Sequence, residues 1–317
     1  MVSERDVTAA AGTPGMAVSL AGMDLRNPVG TASGTFGYGW QFEPFFDVAR
    51  LGFITTKGCS AVPWDGNPAP RLAEVDGGII NAVGLQNPGI RAFVEEDGSY
   101  LQSLRERGCQ VVCQVAGHSI PECVAAVELY DELAPFASAL ELNISCPNVD
   151  KGGAALGATP EAAASVMEAV RPRTKLPVVV KLAPHDIPET ARALEAAGAD
   201  SLSLINTIPA MAIDVNTRRS RLCRPTAGLS GPCVHHVAVR MVWEAHQACG
   251  LPLIGIGGVE TWQDAAEMIL AGATCVAVGT ASLHDPLAAP RVLEGLTQWV
   301  GDQGASDVNE LIGAFEC

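Results

Sequence analysis

Cys146 closes an apolar run, Leu142-Asn143-Ile144-Ser145-Cys146-Pro147-Asn148, with an asparagine on each side and a proline directly behind it. Proline stops a regular element, so the thiol is expected at the end of a strand, outside the core. An unshifted thiol, with a pKa of about 8.5, keeps a small thiolate fraction at neutral pH, and that suffices for proton abstraction from a well-placed ligand. The flanking amides can grip a polar planar ring. A nucleophile and a general base both fit these residues.

Lys181 ends a second apolar run, VVVKL at 178–182. An unpaired ammonium there is expensive to desolvate, so it needs an anionic partner or must turn neutral. Two chemistries fit: a Schiff-base lysine of an aldolase, or a cation facing a delocalised anion such as a reduced flavin ring. The aldolase reading leaves Cys146 and the asparagines unexplained. Glycines add a third signal, with GIGG at 255–258, VGT at 278–280 and GLSGP at 228–232. Three such turns on one side of a protein point to a phosphate bound by backbone amides.

Groups this far apart in sequence need a scaffold that gathers them. Eight short Val/Ile-rich runs, at 28–33, 53–57, 110–116, 139–145, 178–182, 201–206, 253–257 and 275–279, alternate with Ala-rich amphipathic segments. That is the signature of repeated βα units. Thr159-Pro160-Glu161 opens one helix, Gly198 closes another, and Thr261 with Asp264 forms a capping box for a helix that ends at Gly272. Eight strands with eight helices close most simply as a single-domain α/β fold, a (β/α)8 TIM barrel over 16–317 behind an extension at 1–15. A doubly wound open sheet is the alternative. Residues 16–27 read as a hairpin beneath the barrel. Long connections at 58–94, 146–158 and 207–231 lie on the C-terminal face, where such barrels keep their chemistry. The strand ends there carry Ser33, Lys57, Gln114, Asn143, Ser145, Cys146, Lys181, Asn206, Thr207, Gly257, Gly258, Gly279 and Thr280.

Composition narrows the function. A chain of 317 residues with 48% hydrophobic side chains can bury a large core, while a net charge of -15 disfavours nucleic acid and anionic membranes as partners. With no long apolar run and no apolar leader in residues 1–15, a soluble cytoplasmic protein is expected. The ten cysteines form no CxxC pair and no iron–sulfur pattern, so most are read as small buried hydrophobes and no metal site is expected. The six histidines are read as surface or supporting groups.

In these residues the chain resembles the class 1 dihydroorotate dehydrogenases, most of all the class 1B catalytic subunit. The matching segments, in order, are NPVGTASGTFG (27–37), TTKG (55–58), NAVGLQNPG (81–89), NISCPN (143–148), VVVKL (178–182), INT (205–207), GLSGP (228–232), GIGG (255–258) and VGT (278–280). The resemblance implies oxidation of (S)-dihydroorotate to orotate in pyrimidine synthesis, with Cys146 as the base at C5 and hydride leaving C6 for N5 of FMN. It places Lys57, Asn81, Ala82, Val83, Gly84, Leu85, Asn143, Asn206 and Thr207 at the substrate. It places Ser33, Lys57, Gly58, Gln114, Asn143, Lys181, Ile205, Gly231, Gly257, Gly258, Gly279 and Thr280 at FMN. Class 1B, suggested also by AIDVNTRR (212–219), implies a heterotetramer whose second subunit carries FAD and a [2Fe–2S] cluster and reduces NAD. A fumarate-dependent class 1A enzyme or a related FMN dihydropyrimidine dehydrogenase is the alternative. Two departures stand out: Gln114 replaces the family's usual asparagine at the flavin, and Leu-Ala-Pro-His follows Lys181 where the family more often has a serine and an asparagine around the proline.

Overall fold

The computed structural model describes residues 13–145 and 156–316. The chain opens with a hairpin of β1 (Val18–Leu20) and β2 (Met23–Leu25), turned by Ala21 and Gly22, both at positive φ. Val18, Leu20, Met23 and Leu25 face inward while their neighbours are exposed, the period of a half-buried sheet. The Gln110 side chain, at the start of a barrel strand, donates to the Asp24 carbonyl at 3.2 Å. The hairpin therefore lies at the N-terminal end of the barrel, as expected.

Strands β3 (Val29–Thr31) and β4 (Phe53–Thr55) begin the barrel, and β5 (Leu72–Val75) and β6 (Gly78–Asn81) leave it. It resumes with β7 (Gln110–Val115), β8 (Ala139–Asn143), β9 (Val178–Lys181) and β10 (Ser201–Leu204). After the short strands β11 (Ile208–Ala210), β12 (Ile213–Asp214), β13 (Arg219–Ser220) and β14 (Ala227–Ser230), it finishes with β15 (Leu253–Ile256) and β16 (Cys275–Val278). The parallel order β3-β4-β7-β8-β9-β10-β15-β16 closes on itself through β16 and β3. All eight expected runs are strands of this closed barrel, and the open-sheet alternative is excluded. Covered on both faces, these strands read as near-continuous apolar runs.

The helices are α1 (Ile90–Glu106), α2 (Ile120–Leu133), α3 (Pro160–Val170), α4 (Ile187–Ala196), α5 (His235–Ala248), α6 (Trp262–Leu270) and α7 (Ala288–Asp302). The expected signals act as read: Thr159 caps α3, Thr261 and Asp264 form a reciprocal capping box on α6, and Gly198 takes φ 89° just past α4. The expectation of eight helices needs correction. Between β3 and β4 stand two 3-10 turns, Trp40–Phe42 and Val48–Arg50. Gly34, Gly37 and Gly39 all take positive φ there, which breaks a right-handed helix.

The long connections after β4 and β10 are not irregular. They join in one antiparallel sheet, β11-β14-β6-β5, with a small core of Ala73, Ile80, Ala212 and Leu222. This sheet registers Asn81 opposite Gly228 and so brings two sequence-distant loops together. Of the third connection, residues 146–155, with Cys146, lie outside the described residues.

Candidate active site

A buried polar layer lies inside the barrel below its C-terminal rim. Glu141, 1% exposed on β8, accepts from Gln114 Nε2 at 2.6 Å and from Ser203 Oγ at 2.7 Å. Ser203 sits on β10, two strands away, so these side chains meet across the barrel interior. Gln114 Nε2 also donates to Ser33 Oγ at 2.5 Å, and a Cβ on Gly58 would stand 2.5 Å from Gln114 Oε1. The longer glutamine thus ties three expected site residues, Ser33, Gly58 and itself, to Glu141.

Lys181 is registered between Asn143 on β8 and Ser203 on β10, and registered partners share a face. Its side chain therefore belongs to the interior. It is 5% exposed and has no hydrogen-bond or ion-pair partner among the described residues. Glu141 does not approach it within ion-pair distance. Lys57, at the end of β4, is likewise unpaired among the described residues, with its ammonium near Gly34. Burial, opposed by the nearby Cys59 and reinforced by Arg71, holds Lys57 below the usual lysine range. Two lysines without counter-ions among the described residues thus stand at the C-terminal ends of β4 and β9.

Amides stand beside them. Asn143 Oδ1 accepts from the Ser145 hydroxyl at 3.0 Å, which in turn accepts from Asn206 Nδ2 at 2.5 Å. Asn206 Oδ1 accepts from the Thr207 amide at 2.8 Å. Thr207 packs on Gly228, where a Cβ would meet its hydroxyl at 2.0 Å, and Asn81 Nδ2 donates to the Gly228 carbonyl at 3.2 Å. Asn81, Asn143, Asn206 and Thr207 are therefore one contiguous group. In the 81–85 segment, Asn67 holds the Ala82 and Val83 carbonyls, while the Val83, Gly84 and Leu85 amides make no hydrogen bond among the described residues.

The glycines gather on the opposite rim. Gly231, Gly257 and Gly258 take φ of 116°, 132° and 68°, and a Cβ on each would come within 2.7 Å of a neighbour. Gly279 and Thr280 follow β16, and Thr280 Oγ1 donates to Ser230 Oγ at 2.9 Å. The Gly257, Gly258, Gly279 and Thr280 amides have no acceptor among the described residues. Ile205 is buried beside Gly257, where a Cβ would stand 3.6 Å from its Cγ1.

Some supporting residues escaped the sequence reading. Glu141 was hidden in an apolar strand, although an acid in ALELN is itself a signal of a polar interior. Asn87 Oδ1 accepts from the Ser60 and Gly89 amides at 3.1 and 2.9 Å, and its Nδ2 donates to the Leu85 carbonyl at 2.9 Å. It ties the second half of the 81–89 loop, at Leu85 and Gly89, to Ser60 after β4. A cavity of about 520 Å³ among Ser19, Asp200, His246 and Cys249 lies at the opposite end of the barrel, away from all of these groups.

The family model described as Dihydroorotate dehydrogenase matches residues 15–300. The chain belongs to the dihydroorotate dehydrogenase family. It is 50% identical over 301 residues to a protein of Lachnoclostridium phytofermentans, covering 94% of this chain and 99% of that one. A Geobacter sulfurreducens protein is 49% identical over 305 residues, covering 96% and 99%. Both relatives are named "Dihydroorotate dehydrogenase B (NAD(+)), catalytic subunit". Among solved structures, DHODH from Eimeria tenella in complex with ferulenol superposes with a TM-score of 0.78 at 22% identity, over 94% of this chain and 88% of that one. That likeness concerns the fold.

Membership in the dihydroorotate dehydrogenase family implies a flavin, and the described residues fit one. Free backbone amides over close-packed glycines suit a phosphate. The unpaired Lys181 suits a ring that gains negative charge.

The bracket at Asn87 yields a test. Asn87→Ala leaves two buried amides without acceptors, a loss of about 1–3 kcal/mol each. Hydrogen exchange at the Ser60 and Gly89 amides should speed up at least about tenfold; wild-type exchange rates would show that the loop is held by other means.

Proposed function

We propose that this chain is the catalytic subunit of an NAD-linked dihydroorotate dehydrogenase, a cytoplasmic enzyme that oxidises (S)-dihydroorotate to orotate on the route to UMP. The observation that carries the reading is the pair of lysines, Lys57 and Lys181, that are unpaired among the described residues and set beside Asn81, Asn143, Asn206 and Thr207 in a chain of this family. A planar, anionic pyrimidine uses these groups directly. Lys57 meets its carboxylate, and the asparagine amides and the free amides of 83–85 meet ring oxygens and nitrogens.

Cys146 follows the strand β8 that carries Asn143, and its role is that of the base. It takes the proton from C5 and forms no covalent bond to substrate. FMN, when bound, supplies the acceptor for the hydride from C6. Ser33, Gly58, Gln114 and Ile205 would line its ring, Lys181 would face the negative charge it gains, and Gly231, Gly257, Gly258, Gly279 and Thr280 would hold its phosphate. Lys57 serves ring and substrate alike. Both lysines work only in a site shut off from water, where a charge interaction is worth far more than at the surface.

Electrons then leave through a partner subunit carrying FAD and a [2Fe–2S] cluster, in a heterotetramer of two chains of each kind. Support for that arrangement comes from relatives named as catalytic subunits of NAD(+) enzymes over 99% of their length. The barrel over 16–317 is taken as one catalytic domain behind an extension at 1–15. No helix among the described residues is long and apolar enough to cross a membrane.

Anaerobic addition of dihydroorotate should bleach the yellow protein, and Cys146→Ala should slow that bleaching by at least about a hundredfold while FMN stays bound. Bleaching by dihydrouracil in place of dihydroorotate would transfer the reading to a dihydropyrimidine dehydrogenase. Turnover with fumarate by the chain alone would transfer it to class 1A.

The depressed Lys57 gives a pH dependence whose sign follows from charge. Its protonated form binds an anion, and its pKa in the free protein lies below the ordinary lysine value of about 10.4. Orotate affinity is therefore full at low pH and falls as pH rises through that lowered pKa. Orotate titrations of the Cys146→Ala protein from about pH 7 to about pH 10 should show the fall, since the thiol's own titration is removed. Adding Lys57→Met should weaken binding and flatten the curve; an unchanged slope would place another group at the carboxylate.

A further inference from the structure

Behind the glycine rim, three side chains from two helices, His235, His236 and Glu267, converge on one point outside the active site. His235, the first residue of α5, is 4% exposed, and its Nδ1 lies 2.9 Å from the Gly257 carbonyl. A carbonyl only accepts, so Nδ1 carries the hydrogen. The other ring nitrogen, Nε2, then points its lone pair, or a second proton, at the Glu267 carboxylate 3.1 Å away. Asp264 Oδ1 stands 3.7 Å from the same nitrogen. Asp264 spends its other oxygen on the α6 capping box, leaving Oδ1 free. His236, 87% exposed in its side chain, nevertheless turns Nδ1 to within 3.5 Å of the same Glu267 oxygen.

A second proton on His235 would answer Glu267 and Asp264 but leave the approach of His236 to the same Glu267 oxygen unaccounted for. A divalent cation answers His235, His236 and Glu267 together, whose ligand atoms all lie within 4.8 Å of one another. A tetrahedral zinc with bonds of about 2.0–2.1 Å has ligand edges of about 3.3–3.4 Å, and the two separations at Glu267, 3.1 and 3.5 Å, bracket that value. A histidine that gives its far N–H to a backbone carbonyl is fixed in the tautomer that ligates through Nε2.

We propose that His235 Nε2, His236 Nδ1 and Glu267 form a binding site for a divalent cation of the zinc class, with water at the remaining position. Its role is structural. It joins the start of α5 to α6 and holds, through His235, the carbonyl of Gly257 at the rim of the active site. No step of the proposed reaction passes through it.

The test is calorimetric titration of Zn2+ into the full chain as purified, after treatment with chelator. One ion per chain is expected. Glu267→Gln and His236→Ala, both at exposed or half-exposed positions, should each weaken that binding at least about tenfold. The site is overturned by no uptake, which would make His235 a simple imidazolium in an ion pair. It is equally overturned by an affinity unchanged in either variant, which would put the ion elsewhere, on a thiol such as Cys233.

Discussion

An ammonium closed inside a barrel without a counter-ion among the described residues is the constraint on which the rest of this structure turns. Lys181 is fixed by its register between Asn143 and Ser203, and the interior carboxylate nearest in the fold, Glu141, is already taken up by Gln114 and Ser203. Leaving a charge in that state is costly unless a ligand completes it. The free protein therefore carries a standing demand for an anion at the C-terminal end of its barrel. Lys57 repeats the demand one layer further out, with burial already lowering its pKa.

The surrounding architecture keeps that demand specific. The four-stranded sheet β11-β14-β6-β5 places Asn81 and Thr207 on either side of Gly228, so loops after β4 and after β10 act as one wall. Asn87 secures the 81–89 loop, and the hydroxyl of Ser145 links Asn143 to Asn206. On the far side, glycines in conformations closed to other residues leave their amides free. Cations at one end and amides at the other match a long ligand with an electron-accepting ring and a phosphate tail.

Much of this was legible in the residues. Each buried parallel strand announced itself as a short Val/Ile run, because both faces are covered, and the helix caps at Thr159 and Thr261 follow from local hydrogen bonding alone. The lysines and asparagines at the strand ends were visible because their types conflict with an apolar strand. Other features depend on tertiary partners and left little trace. Strands β5, β6, β11 and β14 are only three or four residues long and pair across 147 positions at Asn81 and Gly228, so they read as loop. His235 read only as a surface or supporting group, because nothing in its neighbours tells that Gly257 and Gly258 will close over it. The missing helix between β3 and β4 could have been foreseen from its three glycines and Pro44.

Gln114 shows how a departure from a family pattern is absorbed. Its extra methylene lets one amide nitrogen reach both Ser33 and Glu141, while its oxygen rests against Gly58. The demand for an anion centres on Lys181, and the reduction potential of the bound flavin tests it most directly. If the unpaired ammonium stabilises negative charge on the reduced ring, the midpoint potential of Lys181→Met protein will be more negative than that of the wild type. A potential that is unchanged or more positive would contradict the account.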